Sequence, residues 1–274
     1  MARLADAAVV VAMRERTPFD AALLAQIPSL RLLVSTGARN ASIDLDAARD
    51  RGIVVCGTRS LTTPTVEQTW ALILAVMRRV TLEDRSMRSG GWQTTTGADL
   101  AGATLGLVGL GRLGKAVARI GLAFDIRVLA WSQNLDQGVA REVGVEPTTK
   151  EELFARSDVV SVHLVLSDRT KGIVGDAALR ATKPTACLVN TSRGPVVDTR
   201  ALIAALNESR IAGAGIDVHD VEPLAQNDPL RSTPNTVLTP HLGYVTEANY
   251  RLFYGDAVED IRAWMDGSPI RVLA

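Results

Sequence analysis

Residues 104–119 read TLGLVGLGRLGKAVAR, an apolar run that leads through three glycines into a helix-forming segment. The glycines, Gly109, Gly111 and Gly114, have the spacing G-x-G-x-x-G. Between a strand and a helix, the first glycine permits a tight turn, the second lets the backbone approach a phosphate, and the third lets the helix pack on the strand. The unpaired N–H groups at the helix start then face the anion. The stretch therefore predicts a turn that binds the pyrophosphate of a dinucleotide.

The flanking sequence favours this prediction over the alternative of a glycine-rich turn without a ligand. The apolar run Leu105–Val108 precedes the glycines, an amphipathic helix is expected over Arg112–Leu122, and a second strand over Arg127–Ala130. Together these segments form a βαβ unit of the expected length, about 30 residues.

Similar apolar runs recur along the chain and alternate with helical patterns, which predicts an α/β fold of doubly wound parallel sheets. The 274 residues are enough for two domains. We expect a Rossmann-type dinucleotide-binding domain over residues 69–246 and a smaller substrate domain over residues 1–68 and 247–274. The expected strands are Ala8–Ala12, Leu32–Ser35, Ile53–Cys56, Leu105–Val108, Arg127–Ala130, Val159–His163, Ala186–Asn190, Gly213–Asp217 and Thr236–Leu238.

Two helical patterns lie outside the strand-helix alternation. After Pro64, the stretch 60–83 (SLTTPTVEQTWALILAVMRRVTLE) predicts one long helix, whose partly exposed apolar face serves as a strut between domains or as a dimer surface. The segment Glu247–Gly267 predicts an amphipathic helix that returns to the first domain.

Charge and composition exclude several classes of partner. The 30 basic and 30 acidic side chains cancel, so no net charge attracts nucleic acid or an anionic membrane. The longest apolar run, Ala71–Met77, is far shorter than a bilayer span, and we expect a cytoplasmic protein. Cys56 and Cys187 lie in apolar, strand-like runs and are expected to be buried free thiols. We identify no metal site, so the expected partner is a small molecule.

Three polar residues follow predicted strands, where ligands bind in this fold class. Arg193 lies in NTSRG, Glu222 in GIDVHDVEP and His241 in PHLG. An arginine offers a planar fork for a carboxylate, a histidine exchanges a proton near neutral pH, and a carboxylate beside a histidine orients it and favours its charged form. Each alone is as well explained by a surface or turn position, but together they suit the reduction of an anionic carbonyl compound.

The end of the second dinucleotide-domain strand, IRVLAW, bears on the choice of cofactor. An acidic residue after this strand usually binds the ribose hydroxyls of NAD. Here Ser132, Gln133 and Asn134 follow Trp131, so nothing repels a 2′-phosphate directly. Against this, no basic residue follows, and Asp136 is close by. We favour NADP(H) and leave NAD(H) open.

The motifs GLGRLG, NTSRG, GIDV…EP and PHLG, in this order, resemble the D-2-hydroxyacid dehydrogenases, which include D-3-phosphoglycerate dehydrogenases and glyoxylate/hydroxypyruvate reductases. The resemblance runs from about Leu32 to the C-terminus. It implies that Arg193 binds the substrate carboxylate and carbonyl oxygen, that His241 is the acid/base, and that Glu222 is its partner. The turn STGARNASID resembles the family's carboxylate-binding turn, with the N–H groups of Ala38 and Arg39 as donors; relatives commonly have glycine in place of Arg39.

The same resemblance implies further cofactor contacts, a flavodoxin-like substrate domain that is short at its N-terminus, and a homodimer. Backbone groups of Arg112 and Leu113 are expected at the pyrophosphate. The other expected cofactor residues are His163 and Thr170 along the adenosine, Thr191 and Asp217 near the nicotinamide, and Gly243 of the PHLG run.

Reduction of a 2-oxo acid to a D-2-hydroxy acid is the activity that the resemblance implies. Two alternatives stay open at this point. A 2-imino acid has the same carboxylate and the same hydride-accepting carbon, so the same Arg193, Glu222 and His241 could reduce it to a D-amino acid. A dinucleotide-sensing interaction module would need no turnover, although the intact triad argues against it.

Overall fold

The computed structural model describes residues 4–274, which form parallel β-sheets flanked by helices. The strands are β1 (Val9–Ala12), β2 (Leu32–Ser35), β3 (Val54–Gly57), β4 (Thr104–Val108), β5 (Arg127–Trp131), β6 (Glu146–Pro147), β7 (Val159–Val162), β8 (Cys187–Asn190), β9 (Gly213–Ile216) and β10 (Thr236–Leu238). The helices are α1 (Ala21–Ala25), α2 (Leu45–Asp50), α3 (Thr63–Met77), α4 (Val80–Arg88), α5 (Arg112–Ala123), α6 (Gln137–Glu142), α7 (Lys150–Arg156), α8 (Asp176–Ala181), α9 (Thr199–Asn207) and α10 (Glu247–Met265). The nine predicted strands and the α/β class are confirmed; β6 was not predicted.

Contacts divide the chain into two compact units. The first unit comprises the chain up to Leu61 together with Val245–Ala274, and the second comprises Thr62–Tyr244. The boundary expected between residues 68 and 69 falls inside α3, which stays whole in the second unit. The reason is packing, because the side chains of Leu72 and Val76 press against β9, where Gly215 leaves room for them.

The first unit is a three-stranded parallel sheet with helices on both faces. Its strand order within the described residues is β1-β2-β3. Because successive side chains in a strand point to opposite faces, Leu33 and Val55 pack with residues of α1 and α2, whereas Leu32 and Val34 pack with α10. Burial on both faces explains why these strands are continuous apolar runs rather than alternating ones.

The second unit is a seven-stranded parallel sheet in the order β10-β9-β8-β7-β4-β5-β6. Two apolar clusters, one with α3 and α5 and one with α7, α8 and α9, supply its core. The direction of winding reverses between β4 and β7, which lie side by side. In such sheets the crevice at the reversal point is where ligands bind, so the carboxyl ends of β4, β5 and β7 to β10 position the candidate site.

The long helix predicted for residues 60–83 is wrong in one respect, because the structure has two helices. The first, α3, ends at Met77, and Arg79 then adopts the left-handed conformation with φ 55° before α4 begins. Two hydrogen bonds from the Arg79 side chain, to the Ala212 carbonyl and the Asn235 side chain at 3.2 Å each, hold this turn. The strained backbone is therefore stabilised by contacts from residues far away in the sequence.

Both cysteines are buried free thiols, as predicted. Burial raises the pKa of Cys56 and of Cys187 to about 11, so both remain protonated at neutral pH. Of the helices in residues 4–274, none combines the length and apolar character that crossing a membrane requires.

A buried carboxylate ties β3 to α10 in the first unit. Asp256 of α10 is 1% exposed and accepts hydrogen bonds from the backbone N–H of Arg59 at 2.8 Å and from its guanidinium at 2.6 Å. Arg271 lies beside this pair and bonds the Asp256 carbonyl and the Asp260 carboxylate. The guanidinium of Arg59, opposed only in part by burial, holds the pKa of Asp256 below its ordinary value of 3.8.

We predict that Asp256→Asn lowers the free energy of unfolding by about 1–3 kcal/mol at pH 7, because it removes charge-assisted bonds from a buried site. The folded-state pKa of Asp256 lies below its unfolded value, so its contribution is present above about pH 4 and is lost as the pH falls through the folded pKa. Urea unfolding at pH 7, 5 and 3 measures this. Asp46→Asn, in an exposed pair with Arg49 of the same unit, is the matched control and should change little. A difference between wild type and Asp256→Asn that is the same at all three pH values would contradict the assignment.

Candidate active site

The glycine turn between β4 and α5 has the geometry that its spacing predicts. Gly109 adopts φ +105°, and a Cβ there would lie 2.7 Å from the carbonyl oxygen of His163, the residue that follows the adjacent strand β7. A Cβ on Gly114 would lie 2.2 Å from the carbonyl of Gly109, so only glycine lets α5 begin this close to the turn. Above Gly111, by contrast, no heavy atom lies within 4 Å of the Cβ position. The turn is thus closed on the protein side and open where a phosphate would approach.

The start of α5 offers uncommitted donors to that open side. Gly111 is the N-cap residue, and no side chain caps the helix. The first-turn N–H groups, including those of Arg112 and Leu113, therefore lack the usual side-chain acceptor. An unpaired helix start beside an open glycine turn suits a dinucleotide pyrophosphate, so the residues present fit this group.

Ser132, Gln133 and Asn134 form the loop after β5, as expected from the sequence. Ser132 is half-buried, whereas Gln133 and Asn134 are exposed. The side-chain amide of Gln133 donates to the carbonyl of Arg169 at 3.3 Å, which joins this loop to the one after β7. The indole of Trp131, just before Ser132, lies under the ammonium of Lys150 at 5.8 Å.

His241 and Glu222 lie together at the ends of β10 and β9. The Nδ1 atom of His241 is 2.7 Å from Oε2 of Glu222. Because a carboxylate only accepts, Nδ1 carries the hydrogen and Nε2 is left for another partner. Burial raises the pKa of Glu222, but the hydrogen bonds from His241 and from the backbone N–H of His219 outweigh it, so the net pKa is lowered. Glu222 therefore stays ionised at neutral pH and holds the imidazole ring.

The backbone of the His241 loop is fixed by Asp217, a fully buried residue at the end of β9. Its carboxylate accepts the N–H groups of Leu242 and Gly243 at 2.7 and 2.8 Å and the hydroxyl of Thr239 at 2.5 Å. Its carbonyl accepts the N–H of His241 at 2.7 Å. These four bonds hold His241 in the left-handed conformation, φ 57°, which is unusual for a residue with a side chain.

The resemblance implies that Asp217 approaches the nicotinamide and that Gly243 is a further cofactor residue. In the structure both oxygens of the Asp217 carboxylate accept N–H groups of the loop, and the carbonyl of Gly243 accepts the hydroxyl of Thr65 on α3. These hydrogen bonds fix the positions of Asp217 and Gly243.

His219 is a residue that the sequence reasoning did not single out. Its backbone N–H donates to Oε1 of Glu222 at 3.0 Å, and its ring Nε2 lies 3.1 Å from the carbonyl of Thr239, two residues before His241. A carbonyl requires a donor, so Nε2 carries the hydrogen. The ring thereby links the segment that carries Glu222 to the segment that carries His241. The one feature of the sequence that indicates this role is the position of His219 between Asp217 and Glu222.

Arg193 follows β8 in a segment shaped by Asn190. The side-chain oxygen of Asn190 accepts the N–H and hydroxyl of Ser192 at 3.0 and 2.8 Å, and its amide donates to the Arg193 carbonyl at 3.0 Å. The Asp217 N–H in turn donates to the Asn190 carbonyl. The half-buried Arg193 is thus carried by the strand adjacent to the one that carries Asp217 and Glu222.

The remaining predicted cofactor residues take part in local bonds. Thr191 is buried, and its hydroxyl is 2.7 Å from that of Thr69 on α3. Thr170 donates to the Val165 carbonyl at 2.7 Å and closes the turn after β7. Burial lowers the pKa of His163 to about 4, so its ring, 2.9 Å from the Ser161 hydroxyl, is neutral at physiological pH.

The turn after β2 in the first unit exposes two donors. Ala38 and Arg39 are exposed, and within the described residues 4–274 neither backbone N–H donates a hydrogen bond. Asn40 anchors the turn through bonds to the Arg14 carbonyl and the Ser35 hydroxyl. Two adjacent free N–H groups on an anchored turn can bind a carboxylate.

No group of three or more His, Cys, Asp or Glu side chains in the part of the chain that the structure describes is arranged to hold a metal ion.

Comparisons with known proteins show which family this chain resembles. Residues 70–243, more than half of the chain, match the family described as D-isomer specific 2-hydroxyacid dehydrogenase, NAD binding domain. A glyoxylate reductase of Aeropyrum pernix is 40% identical over 258 residues, which cover 90% of this chain and 77% of that protein.

Solved structures are similar over nearly the whole chain. A putative D-3-phosphoglycerate dehydrogenase from Ralstonia solanacearum superposes with a TM-score of 0.94 at 37% identity, covering 99% of this chain and 84% of the other. D-lactate dehydrogenase from Aquifex aeolicus, complexed with NAD and lactic acid, gives 0.84 at 28% identity and covers 97% and 85%. An acyclic imino acid reductase in complex with NADPH and D-Arg gives 0.81 at 26% identity and covers 100% and 87%.

The family match, the identity to relatives and the glycine turn lead to one conclusion. The chain belongs to the D-isomer specific 2-hydroxyacid dehydrogenase family of oxidoreductases, and its second unit is the nicotinamide dinucleotide-binding domain.

Proposed function

We propose that this protein reduces a small 2-oxo acid to the D-2-hydroxy acid, with NADPH as the favoured hydride donor. The observation that carries the proposal is the 2.7 Å pair of His241 and Glu222 at the ends of adjacent strands, in the same unit as the open glycine turn. Glyoxylate reductase is the name of a 40% identical relative, which supports a small 2-oxo acid as the substrate.

The bound nicotinamide supplies a hydride to C2 of the substrate. His241 donates a proton from Nε2 to the carbonyl oxygen, while Nδ1 stays bonded to Glu222. The ionised Glu222 stabilises the imidazolium that gives up the proton. Arg193 binds the substrate carboxylate and stabilises negative charge on the carbonyl oxygen, as its planar fork allows. In the first unit, the free N–H groups of Ala38 and Arg39 are the proposed carboxylate donors.

The preference for NADPH rests on the loop after β5. This loop contains Ser132, Gln133 and Asn134 and no carboxylate. A carboxylate at this position would bind the ribose hydroxyls of NAD and repel a 2′-phosphate. The solved complex of the imino acid reductase with NADPH agrees with a fold that accepts the phosphorylated cofactor.

Reduction of a 2-imino acid stays the alternative, since an imino acid reductase shares the fold at 26% identity. Oxidation of NADPH in the presence of glyoxylate, of hydroxypyruvate, and of a 2-oxo acid with ammonia separates the two activities. A cytoplasmic location and a homodimer remain predictions. A dimer is favoured by the apolar side chains that α4 and the segment after it expose, Met87 (53%) and Trp92 (71%).

We predict that His241→Ala lowers kcat by about 10²–10⁴-fold, the usual contribution of a positioned general acid. Cofactor binding, followed by fluorescence titration with NADPH, should be unchanged, because the glycine turn is intact. Turnover close to that of the wild type would refute the role of His241.

We predict that Ser132→Asp lowers the ratio of kcat/KM for NADPH to that for NADH by at least about tenfold, which corresponds to 1.4 kcal/mol. The new carboxylate binds the ribose hydroxyls and repels the 2′-phosphate. Ser132→Ala, which adds no charge, is the control. An unchanged ratio in Ser132→Asp would remove this explanation of the cofactor preference.

We predict that His219→Phe lowers kcat by about tenfold with no change in KM for the cofactor, because the link between Thr239 and the Glu222 segment is lost. His219→Gln, whose amide can still donate to the Thr239 carbonyl, should keep most of the activity. Equal loss in the two variants, or none in His219→Phe, would show that the ring does not position the pair.

A further inference from the structure

We propose that Arg169 and Lys150 form a binding site for the 2′-phosphate of the dinucleotide beside the end of β5. This inference rests on the proposed preference for NADPH. It answers the question that the sequence leaves open, namely which cations bind the phosphate when no basic residue follows Ser132.

Asp136 is the acidic residue nearest to this loop in the sequence. Its Oδ1 accepts the N–H of Val139 at 3.0 Å and caps the start of α6. The carboxylate is thus committed to a helix start beyond the loop. The loop itself, Ser132 to Asn134, presents a hydroxyl and two amides, all of which can donate to a phosphate.

The backbone of Arg169 lies beside that loop. The amide of Gln133 donates to the Arg169 carbonyl at 3.3 Å, although 36 residues separate them. The turn that carries Arg169 is held by Thr170, whose hydroxyl donates to the Val165 carbonyl and accepts the N–H of Ser167. Arg169 is exposed, and within residues 4–274 its guanidinium forms no ion pair or hydrogen bond. The backbone of Arg169 is therefore fixed beside the loop, and its charge is uncommitted.

Lys150, the first residue of α7, is the second cation near this loop. Its ammonium lies 5.8 Å from the ring centroid of Trp131, the residue before Ser132. In the described part of the chain it has no carboxylate partner. Arg156, on the same helix, is instead paired with Glu146 at 2.8 Å. Lys150 is thus held at the end of β5 by an aromatic ring, which leaves its charge available to an anion.

The side chains of Arg169 and Lys150 together suit a dianion such as a phosphate group. Two uncommitted cations, from α7 and from the loop after β7, flank a loop without a carboxylate. Arginine binds phosphate oxygens through its planar fork, and lysine contributes a point charge. A ribose 2′-hydroxyl offers neither group a charge to neutralise, so the pair distinguishes the phosphorylated dinucleotide from the plain one.

The test is a binding measurement that needs no turnover. Adenosine 2′,5′-bisphosphate and adenosine 5′-monophosphate differ only in the 2′-phosphate and can be titrated calorimetrically into the full-length protein. We expect the wild type to bind the bisphosphate more tightly. Arg169→Gln and Lys150→Gln should each weaken bisphosphate binding by about five- to tenfold, and the double variant should abolish the preference. Binding of the monophosphate should change by less than about twofold, which also reports that the variants are folded.

Lys171→Gln is the matched control. Lys171 is an exposed cation two residues beyond Arg169, but the adjacent Gly172 donates to Pro195 on the β8 side of the sheet, away from β5. If the wild type binds the two nucleotides equally, both the NADPH preference and this site are wrong. If the wild type prefers the bisphosphate and the double variant keeps the preference, this site is wrong and the NADPH preference stands. Equal loss in Lys171→Gln would show a general charge effect and would also overturn the site.

Discussion

The buried carboxylate of Asp217 is the constraint on which the geometry of the site depends. Burying an ionised group in a parallel sheet is costly unless its oxygens are hydrogen-bonded. Here two backbone N–H groups and one hydroxyl satisfy them, all from the five residues that follow β10. The hydrogen bonds that offset the cost of burial therefore also hold in place the segment that carries His241.

The pair of His241 and Glu222, the proposed acid/base and its partner, shares this rigidity. Glu222 belongs to the same strand-end segment as Asp217, and His219 bridges that segment to Thr239. The imidazole is consequently held by its own backbone, by the carboxylate on Nδ1 and by the neighbouring segment. Such redundant support suits the proton transfer proposed for His241, because a catalytic group must be in place before the substrate arrives.

The parts of the fold that are local in the sequence could be predicted from it. The glycine turn, α5 and the strands are set by neighbouring residues, and the three strand-end residues follow from the rule that ligands bind at carboxyl ends. The break after Met77 could not, because Arg79 is held by Ala212 and Asn235. The bonds of Asp217 join residues 22 to 26 positions apart, and Gln133 meets Arg169 across 36. Spacing rules describe a strand, a turn or a helix, whereas these contacts depend on the order of strands in the sheet.

The first unit is built from both ends of the chain. The backbone of Val55 and Gly57 on β3 bonds residues 271–274, and Asp256 and Asp260 of α10 bond Arg59 and Arg271. The second unit contains its whole sheet within one continuous stretch. During synthesis from the N-terminus, the cofactor-binding unit therefore has all its strands available while the first unit still lacks the helix that covers one face of β2. A ribosome-bound chain ending before residue 245 would carry a complete dinucleotide-binding unit, whereas the sheet of the first unit would still expose an apolar face, so residues 245–274 complete the fold of the first unit.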